Sequence, residues 1–350
     1  MTREIVLPFL ATVILGVGLL ALSSVAPEPG LLTKQLLGAG ASIVVLAALS
    51  WLGRRRLYAL ALPLYALSLA LLALTLVVGT EVNGNRNWLG RGFFQFQPLE
   101  FAKLALILML ARFMREPIRG IRDYLPVAAI ALPVIGLVFR EDFGGTLVLL
   151  VIVLGMMVVR GLPWKHLLLG VTLAAVAIPT VIFPRLQPYQ QKRLTIVFNP
   201  ASDPRGVGYQ VIQAMIAIGS GGLTGKGYKE GSQSQFGFVP EEHTDMILAT
   251  WAEEQGFIGA AFLLFLFAAL FWRLTVMGGE CPSETDKLVI GGVMSMLGFQ
   301  VLENIGAAIG VAPLTGLTLP LVSYGVSSLI AVVAALGVVY VVHRDRYREF

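Results

Sequence analysis

Long apolar runs alternate with short polar connections along most of the 350-residue chain. A helix that crosses a bilayer needs roughly 20 mostly apolar residues, and it satisfies its backbone hydrogen bonds within the segment. Residues 147–159 lack the two-residue alternation that the strands of an outer-membrane barrel show. The pattern predicts ten transmembrane helices, over Ile5–Ser24, Leu36–Leu52, Leu57–Val78, Pro98–Met114, Tyr124–Phe139, Thr146–Val159, His166–Phe183, Asp245–Trp272, Leu288–Val311 and Leu321–His343.

The composition agrees with this pattern. Hydrophobic residues make up 56% and charged residues 13% of the chain, and the mean hydropathy is +0.79. A soluble domain typically carries about 25% charged residues, so this chain has too little polar surface to stay dissolved. The first apolar run is too long for a signal peptide and lacks a small-residue cleavage site. We therefore expect an all-α integral membrane protein without a cleaved signal, in which residues 1–350 form a single polytopic domain.

The basic residues of the connections predict the orientation, because cytoplasmic loops carry an excess of Lys and Arg. With the N-terminus in the cytoplasm, the short outside loops hold only Lys34, Arg86, Arg91 and Arg140. The inside then holds Arg3, Arg54, Arg55, Arg56, Arg112, Arg115, Arg119, Arg122, Arg160, Lys165, Arg273, Lys287, Arg344, Arg346 and Arg348. Both termini are therefore predicted to be cytoplasmic, and the net charge of +5 reflects this bias without indicating nucleic-acid binding.

One connection, from Pro184 to Thr244, is far longer than the others and is predicted to lie outside the cytoplasm, between the seventh and eighth helices. Long loops in compact proteins are usually functional or disordered. This one contains a helical stretch, Val207–Ile218, followed by a glycine cluster from Gly219 to Gly231. The cluster lacks the Walker phosphate-loop spacing, but the backbone near Lys226 has the composition of either an anion-binding loop or a flexible linker.

Charged residues inside the predicted spans are the first candidates for functional residues. Inserting such a side chain at the centre of a transmembrane helix costs roughly 2.5–3.5 kcal/mol. Glu100 and Lys103 are three residues apart and therefore share a helix face. They form either an ion pair within the protein or the polar wall of an aqueous cavity. Both interpretations place them facing protein.

Asp245 stands at the start of the eighth span, beside His243. A carboxylate at this position is typical of a helix cap, but it is also well placed to act as a general base. Glu253 and Glu254, deeper in the same span, are expected to pair within the bundle. Asp142 is expected to be a turn residue or helix cap.

The last outside loop, residues 310–325, contains two prolines and several glycines at membrane depth. Non-helical backbone there is tolerated only against protein or a cavity, so this loop is expected to line the same site. The histidines are too dispersed for a metal triad, and the single cysteine, Cys281, permits neither an intramolecular disulfide nor a cysteine metal cluster.

Three ordered blocks of sequence resemble the SEDS family of cell-wall polymerases, which includes RodA, FtsW and SpoVE. The first block is Asn83-Gly84-Asn85-Arg86-Asn87-Trp88 with Phe96-Gln97-Pro98-Leu99-Glu100 and Lys103. The second runs from Arg193 through Asn199-Pro200, Gly208-Tyr209-Gln210 and Gly219-Ser220-Gly221-Gly222 to Val239-Pro240-Glu241-Glu242-His243-Thr244-Asp245. The third is Asn304-Ile305-Gly306, Thr315-Gly316 and Leu319-Pro320-Leu321-Val322-Ser323-Tyr324-Gly325. Within the family, Ala252-Glu253-Glu254 and the short cytoplasmic termini favour RodA.

The resemblance implies a peptidoglycan glycosyltransferase of cell elongation and shape, which polymerises lipid II and releases undecaprenyl diphosphate. It carries the essential acidic residue of the family onto Asp245, as general base or as ligand of a divalent cation, Mg or Mn. The residues then expected to bind the diphosphate or line the cavity are Arg86, Trp88, Glu100, Lys103, Asp142, Arg193, Lys226, His243, Asn304 and Ser323. The implied partner is a class B penicillin-binding protein, a transpeptidase, and the implied place is the bacterial inner membrane with the active site outside the cytoplasm.

Four positions depart from the family pattern: Asn87 stands in place of Arg, Leu99 of Ser, Gly145 of Thr or Ser, and Val326 of Gly. None of these four departures changes Asp245. Two other functions fit some of the features. A lipid II flippase would use Glu100, Lys103 and broken helices, and a non-catalytic scaffold would not need Asp245.

Overall fold

A computed structural model of the protein describes residues 4–25, 30–82, 85–90, 95–114, 116–118 and 120–347. Several residues named above lie outside this described part of the chain: Arg3, Asn83, Gly84, Arg91, Arg115, Arg119 and Arg348.

The regular secondary structure of the described residues is helical apart from one short hairpin and an isolated antiparallel bridge between Leu89 and Phe96. Its helices are α1 (Val6–Val25), α2 (Leu31–Ala59), α3 (Ala61–Val78), α4 (Pro98–Phe113), α5 (Tyr124–Val138), α6 (Phe143–Val159), α7 (Trp164–Ala177), α8 (Pro188–Ile196), α9 (Val207–Ser220), α10 (Ser232–Gln235), α11 (Ile247–Glu280), α12 (Glu284–Ala308) and α13 (Val326–Arg344). The hairpin pairs β1 (Thr80–Val82) with β2 (Asn85–Trp88) in antiparallel register.

Each of the ten predicted spans is found as a helix. Seven helical stretches are long and apolar enough to cross a membrane by length and composition: α1, α2, α3, Trp164–Arg185, α11, α12 and α13. The fourth of these extends α7 by a π-turn, Ile178–Ile182, and a 3-10 turn, Phe183–Arg185. The remaining three predicted spans correspond to the shorter helices α4, α5 and α6. The prediction of a helical, multi-span membrane protein is confirmed.

The break between the second and third predicted spans lies at Gly53, whose backbone is non-helical (φ 72°, ψ 165°). Residues 54–59 after the break are helical, so the predicted connection, residues 53–56, is shorter than expected and the following helix begins at Arg54 rather than at Leu57. The Arg54 amide after the break donates to Asp345 Oδ2 at 3.2 Å. Its guanidinium forms a buried ion pair with Asp286 at 2.6 Å, so a charge expected in a loop is neutralised within the protein.

Other boundaries shift by a few residues. The eighth predicted span corresponds to α11, which begins at Ile247, two residues after Asp245, and continues past Trp272 to Glu280. The tenth predicted span corresponds to α13, which begins at Val326, where the loop before it ends, rather than at Leu321. The chain therefore keeps more non-helical backbone beside Asp245 than hydropathy predicts.

The chain groups into two compact units, each built from separated segments. The first unit comprises residues 1–47, 193–274 and 297–336, and the second comprises residues 48–192, 275–296 and 337–350. The expectation that residues 1–350 form a single polytopic domain stays a prediction. The first unit contains α1, α9, α10 and most of α11, and the second contains α3 to α7.

Cys281, between α11 and α12 in the second unit, is buried and forms no disulfide. Burial, followed by the charge of Asp286, raises the pKa of its thiol to about 11. Because the thiolate is the reactive form, this cysteine is expected to be chemically inert.

Candidate active site

Asp245 lies in a turn, residues 241–246, that leads into α11. The Met246 amide donates to Glu241 O at 3.1 Å, and Glu241 adopts a left-handed conformation (φ 53°). Asn304 of α12 holds the turn from one side: its Nδ2 donates to Asp245 O at 2.9 Å and to Leu317 O at 2.8 Å. The backbone of Asp245 is therefore fixed to the loop that follows α12.

Ser323 holds the same turn from the other side. Its hydroxyl donates to Thr244 O at 2.6 Å and accepts from the Leu319 amide at 2.9 Å. The Tyr324 amide donates to His243 O at 2.8 Å, and the two rings lie 5.9 Å apart. Sequence reasoning named Asn304, Ser323 and His243 as cavity residues, and the structure brings all three to the Asp245 turn.

The side chains of Arg193 and Asp245 meet at Gly316. A β-carbon at Gly316 would lie 3.6 Å from Arg193 Nη1 and 3.6 Å from Asp245 Oδ2. Gly316 has φ +83°, a left-handed conformation that favours glycine. The Arg193 guanidinium, which is suited to stabilise a leaving diphosphate, and the Asp245 carboxylate, which is suited to act as a general base, therefore both lie against the Gly316 backbone, which carries no side chain.

Glu303 is a further carboxylate that sequence reasoning missed. It is 5% exposed, and it accepts hydrogen bonds from the Thr315 amide at 3.2 Å and from the Thr315 hydroxyl. The charges of Asp245 and Arg193 both act on it. Its position inside the apolar ninth span was the signal, since an intramembrane carboxylate is a functional candidate by default.

Lys226 is engaged in a different contact from the predicted one. Its Nζ lies 2.6 Å from Glu253 Oε1, and Glu253 also accepts from the amides of Gln233 at 2.8 Å and Ser234 at 3.0 Å. The Glu253 side chain is fully buried, but these partners belong to the long connection before α11 and not to the helices of the bundle, where its pairing was expected. This arrangement favours a structural role for Lys226, and its binding of a diphosphate stays a prediction.

Glu242 belongs to the turn that carries Asp245. Its carboxyl is buried and its Oε2 has no hydrogen-bond partner among the described residues. Burial, followed by repulsion from Glu253 and Glu254, raises its pKa to about 8. At neutral pH, most copies of this carboxyl are therefore protonated.

In the second unit, Glu100 and Lys103 form an ion pair at 2.7 Å on α4, which is the first of the two arrangements considered for them, with exposures of 7% and 1%. Their predicted burial against protein is confirmed. Asp142 caps α6, because its Oδ1 accepts from the Gly145 amide at 2.6 Å. Asn87 Nδ2 donates to the same carboxylate at 3.3 Å.

Arg86 and Trp88 lie on β2, beside Asn87. The Arg86 side chain is exposed and its amide donates to Glu141 Oε2 at 3.4 Å, whereas Trp88 is half-buried and pairs with Thr80 across the hairpin. The hairpin thus brings Arg86 to the turn that contains Asp142. The candidate residues divide between the units: Arg193, Lys226, His243, Asp245, Asn304 and Ser323 belong to the first, and Arg86, Trp88, Glu100, Lys103 and Asp142 to the second.

No group of three or more His, Cys, Asp or Glu side chains in the described part of the chain has the arrangement of a metal site. Mg²⁺ is usually held by one or two carboxylates together with substrate phosphates. Asp245 fits this arrangement, in which a substrate supplies the remaining ligands of the ion.

Comparisons with known proteins agree with the resemblance. The family model of FtsW, RodA and SpoVE, described as cell cycle protein, matches residues 6–348. The peptidoglycan glycosyltransferase MrdB of Escherichia coli K12 is 38% identical over 277 residues, which cover 77% of this chain and 73% of that protein. The stage V sporulation protein E of Bacillus subtilis is 37% identical over 286 residues, which cover 77% and 75%.

Solved structures show the same fold. A chain of a peptidoglycan synthase complex, described as coordinating polymerisation and crosslinking, is 48% identical with a TM-score of 0.87, and 98% of each chain is covered. The rod shape determining protein RodA of Thermus thermophilus is 42% identical with a TM-score of 0.75, covering 98% of this chain and 97% of that one. The match of nearly the whole chain to the family model, and identities well above 30%, show that this protein belongs to the FtsW/RodA/SpoVE family.

Proposed function

We propose that this protein is a peptidoglycan glycosyltransferase that polymerises lipid II into glycan strands and releases undecaprenyl diphosphate. The observation that carries the proposal is that the Arg193 guanidinium and the Asp245 carboxylate both lie against the backbone of Gly316. The turn that carries Asp245 is held from both sides by Asn304 and Ser323. The relatives named as peptidoglycan glycosyltransferases support the substrate class.

Asp245 and Arg193 supply complementary chemistry for this transfer. The Asp245 carboxylate takes the proton from the 4-hydroxyl of the acceptor sugar, and the hydroxyl oxygen forms a bond to the anomeric carbon of the donor. The bond between that carbon and the phosphate oxygen breaks, and its electron pair leaves with the diphosphate. Arg193 stabilises the charge that develops there.

Asn304 and Ser323 act as positioning residues in this scheme. Both side chains bind backbone carbonyls at or next to Asp245, so their expected role is to fix the direction of its carboxylate. A misplacement of about 1 Å costs roughly 100-fold in rate, which is why such positioning matters. Asp245 would hold a divalent cation such as Mg²⁺, which would supply charge stabilisation for the departing diphosphate.

The same proposal covers location and partner. The basic residues of the short connections support cytoplasmic termini and an active site outside the cytoplasm, in a bacterial inner membrane. The similarity to a chain of a complex that couples polymerisation to crosslinking supports a class B penicillin-binding protein as partner. Substrate contacts by Arg86, Trp88, Glu100, Lys103 and Asp142 belong to the same proposal.

The test is glycan synthesis from labelled lipid II by the purified protein with its cognate transpeptidase. We expect polymer from the wild type and from Glu230→Gln, a control at an exposed carboxylate, and none from Asp245→Asn. Correct folding is checked by equal thermal unfolding of the three proteins. If the wild type makes no polymer but moves lipid II across vesicle bilayers, the flippase function replaces this one. If Asp245→Asn polymerises normally, Asp245 is not the base.

A further inference from the structure

Residues 219–238, called here the glycine-rich segment, expose four large apolar side chains. The exposed fractions are 68% for Leu223, 47% for Tyr228, 74% for Phe236 and 46% for Phe238. Leaving such side chains in water costs about 1.5–3 kcal/mol each relative to burial. A connection that simply crosses aqueous solvent has no physical reason to carry them.

The first constraint on this segment is its attachment to a kink in α11. Gly256 is non-helical (φ 66°, ψ −165°), and the kink leaves backbone groups on both sides without helical partners. The amides of Lys226 and Gly227 donate to the carbonyls of residues 253 and 254, both at 3.0 Å. The amides of Phe257 and Ile258 donate to the carbonyls of residues 222 and 223 at 2.9 and 3.1 Å.

The part of α11 after the kink is long enough to cross the bilayer without the part before it. At 1.5 Å per residue, the stretch from 257 to 280 is long enough to cross the hydrocarbon core, whereas the part before the kink carries the buried Glu253 and Glu254. A span that begins at the kink would place the segment bonded across it at the membrane boundary.

The end of α1 gives the same level independently. The Tyr228 hydroxyl lies 2.7 Å from Ser23 Oγ, and Gln235 Nε2 donates to Ser24 O at 3.0 Å. Both serines belong to the last turn of α1, which ends at Val25. Two membrane-crossing helices thus hold the glycine-rich segment at their ends.

One of the exposed side chains, Leu223, continues the exposed apolar surface of α11. Leu223 is bonded through its backbone to Ile258, and Phe257 and Ile258 are 67% and 58% exposed on a membrane-crossing helix. Lys229 Nζ lies 5.4 Å from the Tyr228 ring centre. Tyrosine beside lysine is the chemistry of the headgroup layer, where aromatic rings and ammonium groups reach water from an apolar base.

We propose that the glycine-rich segment is an interfacial membrane anchor that inserts Leu223, Phe236 and Phe238 into the lipid leaflet around it. Tyr228 and Lys229 then lie at headgroup level. The occupant is lipid because the segment is bonded to two membrane-crossing helices and, at Leu223, continues the exposed apolar surface of α11. The anchor would hold the turn before α11 at the membrane surface, and it depends only on the chain crossing a bilayer, not on the proposed glycosyl transfer.

Lipid quenching of site-specific fluorophores tests the anchor. In the full chain with Cys281→Ser, the single substitutions Leu223→Cys, Phe236→Cys, Phe238→Cys and Glu230→Cys are labelled with an environment-sensitive dye. The proteins are reconstituted in vesicles of phosphatidylcholine and phosphatidylglycerol that contain lipids brominated along the acyl chains. We expect blue-shifted emission and strong loss of intensity at 223, 236 and 238, and neither at the exposed Glu230 position.

Two outcomes would overturn the proposal. The first is that labels at 236 and 238 are quenched by aqueous iodide as strongly as the label at 230, which would place them in water. The second is that they become shielded only when a transpeptidase partner is added, without quenching by lipid, which would make the surface a protein contact. As a second variant, Phe236→Ser with Phe238→Ser is expected to weaken the quenching of the label at 223, and unchanged quenching would contradict a shared anchor.

Discussion

Leu99 occupies the space beside Gly145 that a side chain there would need. A β-carbon at Gly145 would lie 2.2 Å from Leu99 Cδ2 and 3.0 Å from the carboxyl carbon of Asp142. Leu99 is 3% exposed, so it has little room to move. Both positions depart from the family pattern, with Leu for Ser and Gly for Thr or Ser, and the structure shows that the two departures fit each other.

This relationship predicts a compensating pair of substitutions. Gly145→Thr alone is expected to destabilise the protein by about 1–3 kcal/mol, because overpacking a tight site displaces its neighbours. Leu99→Ser alone is expected to destabilise by leaving a cavity. The double variant should recover most of the loss, as measured by thermal unfolding in detergent. Additive losses in the double variant would show that the two side chains do not share the space.

The ion pair of Lys226 and Glu253 gives a second prediction, which separates a structural role from a substrate role. Lys226→Met leaves the buried Glu253 carboxylate without its cation, and breaking a buried pair on one side costs about 3–5 kcal/mol. Adding Glu253→Gln removes the unpaired charge and should restore much of the thermal stability.

Lipid II polymerisation by the same double variant then decides the role of Lys226. If Lys226 is structural, activity returns together with stability. If the double variant is stable but inactive, Lys226 contributes to the reaction directly, as the sequence resemblance implies.

Glu242 gives a pH prediction. Its pKa rises from 4.5 in the unfolded chain to about 8 in the folded protein, so folding favours the protonated carboxyl. The stability that this group contributes is therefore fully present below about pH 4.5 and is lost as the pH rises to 8.

Glu242→Gln, which cannot ionise, should flatten the fall in melting temperature between pH 5 and 9, whereas the exposed Glu230→Gln should leave the profile unchanged. Each unit of pKa corresponds to about 1.4 kcal/mol, so the effect is expected to reach a few kcal/mol. Identical pH profiles for wild type and Glu242→Gln would mean that this carboxyl ionises normally.

Hydropathy was sufficient to predict the helices, and spacing was sufficient to predict that Glu100 and Lys103 share a helix face that contacts protein, because both depend on residues close together in the sequence. The choice between an ion pair and a cavity wall needed the structure. The helical conformation of residues 54–56 could not be predicted, since the partners of Arg54, Asp286 and Asp345, lie 232 and 291 positions away. The bonds from Asn304 and Ser323 to the Asp245 turn end on backbone carbonyls, which any residue type supplies. The motif blocks indicated that these residues belong to one site, but their positioning role required coordinates.

Gly316 provides a prediction about the candidate active site itself. Gly316→Ala places a methyl group 3.6 Å from both Arg193 Nη1 and Asp245 Oδ2, where the reacting groups of the substrate are proposed to pass. It also strains a backbone with φ +83°, at a cost of about 1 kcal/mol. Gly310→Ala is the matched control, because Gly310 lies in the same loop with φ +75° but faces Met215.

Gly310→Ala is expected to lose at least as much thermal stability as Gly316→Ala, because its β-carbon would lie 3.0 Å from Met215 Sδ. Only Gly316→Ala should lower the rate of lipid II polymerisation, by roughly 10-fold or more, which corresponds to at least about 1.4 kcal/mol in the barrier. Rates are compared at temperatures equally far below the two melting points, so that strain alone cannot produce the difference. Equal rates in the two variants would mean that substrate does not approach Asp245 along the Gly316 backbone. A selective loss would place the transfer at the point where Arg193 and Asp245 meet.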